Sequence, residues 1–278
     1  MDEDPNMTLR EALTQAKPFV PDLCARRRTL TSLGQPEVQG VHPVSRITIW
    51  DDFCMNTLND EYGPLLDREM SMSACASVPE PDSELFDIKI RKFTDIAHLI
   101  QWNEKILNAT LSLAKDDREL CPGLGLRTQA AEPNIRSSSS GFYNAQGEEI
   151  KVDHWIALDD MPLQHLVVGM AWPSSMIETH KVFYGVKEPG DVECRPLQQL
   201  AWVCEQAKTR YGYIITDSDL LVCRFFKTPS GDKFEVSLML VPWSTSGSYL
   251  TTDLSIWWLC MKALTEEKED REIQRAAE

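Results

Sequence analysis

Residues 194–226 read CRPLQQLAWVCEQAKTRYGYIITDSDLLVCRFF, and this stretch decides the fold. Leu197, Leu200, Ala201, Cys204 and Ala207 recur at the i, i+3, i+4 spacing of a helix with one buried face, which predicts a helix over Pro196 to Lys208. Arg210-Tyr211-Gly212 ends it. Tyr213 to Thr216 and Leu220 to Arg224 then form two short apolar runs around the turn Asp217-Ser218-Asp219, the pattern of a strand pair. A helix running into two buried strands is a piece of a layered α/β structure.

Working outward, the next strong elements are helical. Ile96, Leu99, Ile100, Asn103, Ile106, Leu107, Thr110, Leu111 and Ala114 fall near one face of a helix over Asp95 to Ala114. Leu254, Trp257, Trp258, Met261 and Leu264 do the same within Leu250 to Leu264. Strands are expected over Glu149 to Leu158, Gln164 to Trp172, Lys181 to Lys187 and Lys233 to Val241. Residues 121–141, rich in Pro, Gly and Ser, read as a long exposed loop. Towards the N-terminus, Leu9 to Ala16 reads as a helical patch, Ile47 to Leu66 reads as a short helix, and Ser71 to Ser83 is a loop. The resulting fold class is α/β, in its α+β variety: a mixed sheet flanked by helices. Residues 1–90 are expected as an irregular N-terminal arm with short helices, 91–270 as the domain, and 271–278 as a charged tail.

Composition narrows the partners. The 278 residues include 28 Lys and Arg against 43 Asp and Glu, a formal charge of −15, which repels a phosphate backbone. Nucleic acid is therefore disfavoured as a partner, and protein partners are expected instead. Arg26-Arg27-Arg28 reads as a solvated basic turn, with a nuclear-import or phosphate-binding signal as the alternative. Eight cysteines lie scattered with no C-x-x-C pair, so they suggest neither zinc nor a disulfide framework, and a reducing compartment fits them. The opening Asp2-Glu3-Asp4 is unlike a signal peptide, and no apolar run reaches the length of a membrane span. An intracellular protein, cytoplasmic or nuclear and not secreted, is the expectation. No H-x-x-x-H pair, G-x-S-x-G elbow, P-loop or dinucleotide fingerprint is present, so no cofactor and no resident metal are expected.

Several motifs between residues 95 and 265 share an order. They are Trp102-Asn103 in a helix, Lys151-Val152-Asp153-His154-Trp155, Leu166-Val167-Val168-Gly169, the Gln198-Gln199 helix, the Thr209-Arg210-Tyr211-Gly212 to Asp217 stretch, and Val241-Pro242-Trp243-Ser244 before the last helix. In that order they resemble a family of fungal proteins with a PD-(D/E)XK nuclease-like core. The resemblance implies a restriction-endonuclease-like core, and a site in which two acids hold Mg²⁺ beside a lysine. Asp153 matches the first acid. The second acid position holds Met170 and the lysine position Trp172, and neither a thioether nor an indole replaces a carboxylate or an ammonium. An alternative register over Gly185-Val186-Lys187 restores Lys187 but puts Gly185 at the acid position, with Glu188 displaced. The acid expected upstream of Trp102 is absent, and Glu104 lies on the other side of it. Gln198 or Gln199 matches the family's helix glutamine.

The resemblance thus implies a pseudoenzyme, a nuclease-like scaffold acting as a binding or accessory protein. Such relatives are at times encoded beside fungal natural-product pathways. Two rivals stay open. One is a Mg²⁺-dependent nuclease using Asp153, Lys187 and a migrated acid such as Glu178 or Glu188. The other is an enzyme of unrelated chemistry reusing the pocket. Asp153 also has plain structural readings, solvent exposure or the capping of a backbone amide, and His154 beside it alternates to the opposite face.

Overall fold

The computed structural model describes residues 7–18, 20, 39–80, 93–115, 135–138, 141–158, 163–174, 177, 179–184 and 194–266. In chain order the elements are α1 (Leu9–Thr14), β1 (Val44–Ile49), α2 (Met55–Leu66), α3 (Met72–Cys75) and α4 (Ala97–Lys115). Then come β2 (Ile135–Ser138), β3 (Phe142–Tyr143), β4 (Glu149–Ile150), β5 (His154–Leu158), β6 (Gln164–Ala171) and α5 (Thr179–Phe183). The chain continues with α6 (Arg195–Gln206), β7 (Tyr211–Ile215), β8 (Asp219–Lys227), β9 (Phe234–Pro242) and α7 (Thr252–Thr265).

Among the described residues the main sheet has seven strands in the order β1-β9-β8-β7-β6-β5-β2. Two antiparallel runs, β2-β5-β6 and β7-β8-β9, meet where β6 and β7 pair in parallel, and β1 adds to β9, also in parallel. A parallel pair needs a crossover, and α6 lies within the one between β6 and β7. This is a large mixed sheet flanked by helices. No helix among the described residues is long and apolar enough to cross a membrane.

Both faces of the sheet are covered, which explains why β7 is buried at every position. Tyr211, Tyr213 and Ile215 enter the core shared with α1, α2, α4 and α7, while Ile214 enters the core beneath α6. The α6 face is built from Leu197, Leu200, Ala201 and Cys204, the stripe visible in the sequence. Gly212 lets that helix approach: a Cβ there would lie 2.9 Å from Cys204 Sγ and 3.0 Å from Leu200 Cδ1. Pro196 sits in the first turn, where its missing N–H costs nothing. Lys208, at φ 55°, turns the chain out of the helix. On the other face α7 is buried nearly all round, since α1 and α4 close over the side that the sheet leaves open.

Five expectations need correction. Lys181 to Phe183 belong to the helix α5 and not to a strand, Tyr184 follows as a turn, and residues 185–187, Lys187 included, lie outside the described residues. A short apolar run has no period long enough to separate the two states. Residues 44–49, where Ile47 was read towards a helix, form β1, and the helix starts only at Met55. Ile135–Ser138, inside the expected loop, is the edge strand β2. The expected strand Glu149 to Leu158 is two strands: Glu149–Ile150 pairs with Phe142–Tyr143 in a small hairpin, and a bend at Asp153 separates it from β5. The expected loop over Ser71 to Ser83 also contains the single turn α3, capped by Ser71.

Candidate functional site

The hairpin of β5 and β6 carries the residues singled out by the motif order. Its register pairs His154 with Gly169 and Trp155 with Val168, so Asp153 lies just before β5, beside the end of β6. There its Oδ2 accepts a 2.8 Å hydrogen bond from the Ala171 amide. Burial raises the Asp153 pKa, and the amide hydrogen bond works against that rise. The carboxylate ties the start of one strand to the end of its neighbour.

Met170 and Trp172 point away from solvent. Both are buried in the apolar cluster under α6 that also holds Ile177, Val182, Leu197 and Leu200. Gln199 is buried on that helix, whereas Gln198 is half-buried and its backbone carbonyl accepts a 2.9 Å hydrogen bond from the His42 amide. Lys187, Glu178 and Glu188 lie outside the described residues. The fold therefore brings Asp153 next to Met170, and it surrounds Met170 and Trp172 with hydrocarbon.

Two acids that read in the sequence only as a turn sit between the next two strands, Asp217 past the end of β7 and Asp219 at the start of β8. Asp217 accepts from the Ser174 amide at 2.7 Å and from the Ser174 hydroxyl at 3.0 Å. Asp219 Oδ2 accepts from Thr179 at 2.9 Å and Ser218 at 2.6 Å, with His180 Nε2 farther off at 3.9 Å. Both carboxylates are buried and occupied by hydroxyls and an amide, as caps that hold the β7–β8 turn against residues 174–179. The signal in the sequence was the pair of acids flanking Ser218, but their partners are distant along the chain. Among the described residues no group of three or more His, Cys, Asp or Glu side chains is arranged to hold a metal ion.

On the opposite face His154 and not Asp153 makes the polar contact. His154 Nδ1 and the Tyr213 hydroxyl lie 2.5 Å apart, both fully buried. Burial lowers the His154 pKa to about 3, so the ring is neutral near pH 7. Burial also raises Tyr213 well above its ordinary value, with Cys260, Asp153 and Glu104 adding to the rise. Glu104 is occupied by the Ser137 hydroxyl at 2.8 Å, across the contact between α4 and β2.

The Trp102-Asn103 pair is structural in this fold. Asn103 Nδ2 donates to Asp253 Oδ1 at 2.5 Å and to Thr252 Oγ1 at 3.2 Å, fastening α4 to the first turn of α7. Asp253 also pairs with Lys17, and both side chains are sealed from solvent. Burial draws the Lys17 pKa down. Its ammonium lies 5.9 Å from the Trp102 ring and 5.3 Å from the Trp243 ring. Comparison with protein-family models, curated proteins and solved structures finds no match for this chain.

Proposed function

We propose that this chain is a nuclease-like scaffold without nuclease chemistry, acting as a binding or accessory protein for a protein partner. The observation that carries this reading is the burial of Met170 and Trp172, 4% and 3% exposed, where the resembling family needs an acid and a lysine. A metal-assisted cleavage of a phosphodiester needs the cation held by anionic oxygens at a site the substrate reaches. Here hydrocarbon fills those positions, and the remaining acid, Asp153, accepts from the Ala171 amide.

The restriction-endonuclease-like reading of the core is supported by element order. A helix (α4), an antiparallel run (β2-β5-β6), a crossover containing a helix (α6) and a parallel strand (β7) follow the order of the motif segments. The formal charge of −15 supports a protein over a nucleic acid as partner.

Digestion of single-stranded and duplex DNA and RNA with Mg²⁺ and with Mn²⁺, run beside Asp153→Ala, tests the reading. No metal-dependent cleavage is expected from either protein. Cleavage by the native chain that disappears in Asp153→Ala would overturn it and favour a working nuclease with a migrated acid.

A further inference from the structure

At the opposite end of β7 from the Asp217 turn, two arginines lie side by side on one face of the sheet. Arg224 is in register with Tyr211, and the Arg210 carbonyl accepts a 2.9 Å hydrogen bond from the Phe225 amide. Both guanidinium groups approach the same ring: Arg224 lies 4.9 Å and Arg210 5.7 Å from the centre of Phe226. Arg224 also packs over Trp50, at 4.4 Å. Only Arg210 of the two pairs with a carboxylate. Arg210 Nη2 pairs with Glu266 Oε1 at 2.5 Å, and the Tyr211 hydroxyl donates to the same oxygen.

Arg224 has no such partner. Among the described residues its guanidinium makes no hydrogen bond and no ion pair, and its Nε is buried. An arginine does not shed its proton in a protein, so it keeps its charge while half-buried, with its Nε lacking an acceptor. A buried N–H without an acceptor is costly. Burial pulls its pKa down and the neighbouring Arg210 pushes the same way, while Tyr211, Glu266 and Asp52 oppose them. In a chain with 43 acidic residues an arginine without an ion pair is not a by-product of a basic composition.

We propose that Arg224 and Arg210, walled by Trp50, Tyr211 and Phe226, form a binding site for the carboxylate of a small organic acid. With the carboxylates of Glu266 and Asp52 already in their field, the two guanidinium groups suit a monoanion better than a phosphate dianion. The anion already seated there, Glu266, is itself a carboxylate. A guanidinium fork matches a carboxylate in plane and spacing, and the half-buried Phe226 ring offers a surface to the apolar body of the acid. This site is separate from the β5–β6 hairpin and does not depend on whether that hairpin once held a metal.

Calorimetric titration of the full chain with acetate and with benzoate, at constant ionic strength in chloride, is the test, with inorganic phosphate as a third arm. Saturable binding of a carboxylate is expected, with benzoate the tighter of the two. Arg224→Lys should weaken it by about tenfold or more, the loss of one charge-assisted hydrogen bond, and Arg224→Met should abolish it. In denaturant without ligand, Arg224→Met should be at least as stable as the native chain, because it removes a buried N–H that lacks an acceptor. A purely structural arginine would instead destabilise when replaced. The proposal is overturned by the absence of saturable binding of either carboxylate, by binding that survives in Arg224→Lys at native strength, or by phosphate binding more tightly than both. Should Arg224→Met not fold, Arg224→Lys and the native titrations decide the matter.

Discussion

Gly169 is the residue on which the β5–β6–β7 contact turns. A Cβ at this position would lie 2.2 Å from Tyr213 Cζ, so the missing side chain is the space that the Tyr213 ring occupies. That ring reaches across Gly169 to His154, whose register partner Gly169 is. Burial keeps the imidazole neutral, and the linkage sign follows. The pKa of His154 is lowered from 6.5 to about 3 and that of His165 to about 4. Below the unfolded value the unfolded chain takes up protons that the folded chain refuses. This contribution to stability is therefore full above about pH 6.5 and lost as the pH falls towards the folded values. The sealed His154 imidazole removes ~1.4 kcal/mol per pH unit, and the half-buried His165 less. Asp153, with its raised pKa, works in the opposite sense, gaining a proton more readily in the folded state. Denaturant titrations from neutral pH down to about pH 4 check this on the native chain and on His154→Gln. The slope of stability against pH should flatten in the variant. An unchanged slope would mean that His154 titrates in the folded protein as it does in water.

At the scale of elements, α7 shows how much one helix can hold. Trp257 and Trp258 are both fully buried. Trp258 stacks on Phe53 at 4.1 Å and its Nε1 donates to Glu61 at 3.0 Å, while Trp257 meets Tyr62 edge-on at 5.8 Å. Replacing Trp258 by Ala should cost about 3–5 kcal/mol, the usual range for an emptied aromatic site. Urea melts measure it, and a loss below about 1 kcal/mol would place the helix at the periphery. Helices of this kind were legible in the sequence because burial writes a long apolar pattern, as in α4, α6 and α7. The central strands β6 to β9 were legible as apolar runs between turns. The short edge strands were not. β2 reads Ile-Arg-Ser-Ser and β1 alternates Ser, Arg and Thr with Ile, because an edge that faces solvent leaves little apolar signal. Asp153, Met170 and Trp172 could be picked out from motif order alone. The engagement of Asp217 by Ser174, of Asp219 by Thr179, and of His154 by Tyr213 could not, since each joins residues about 40 to 60 positions apart through a register that only the folded sheet defines.

For the molecule as a whole, the sheet joins two antiparallel runs through one parallel pair, and the hairpin that ends at that pair is where the resembling family would hold its cation. The carboxyl ends of parallel strands are a common place for ligands. Here they are finished differently. Asp217 and Asp219 are taken up as caps, Asp153 accepts from the Ala171 amide, and Met170 and Trp172 belong to the core beneath α6. The function proposed for the chain rests on this closure. Calorimetric titration of the purified full chain with Mn²⁺ tests it most directly, because it asks about the cation before any substrate is involved. The expected result is no saturable heat, with Asp153→Ala indistinguishable from the native chain. Saturable binding of one Mn²⁺ that is lost in Asp153→Ala would contradict it.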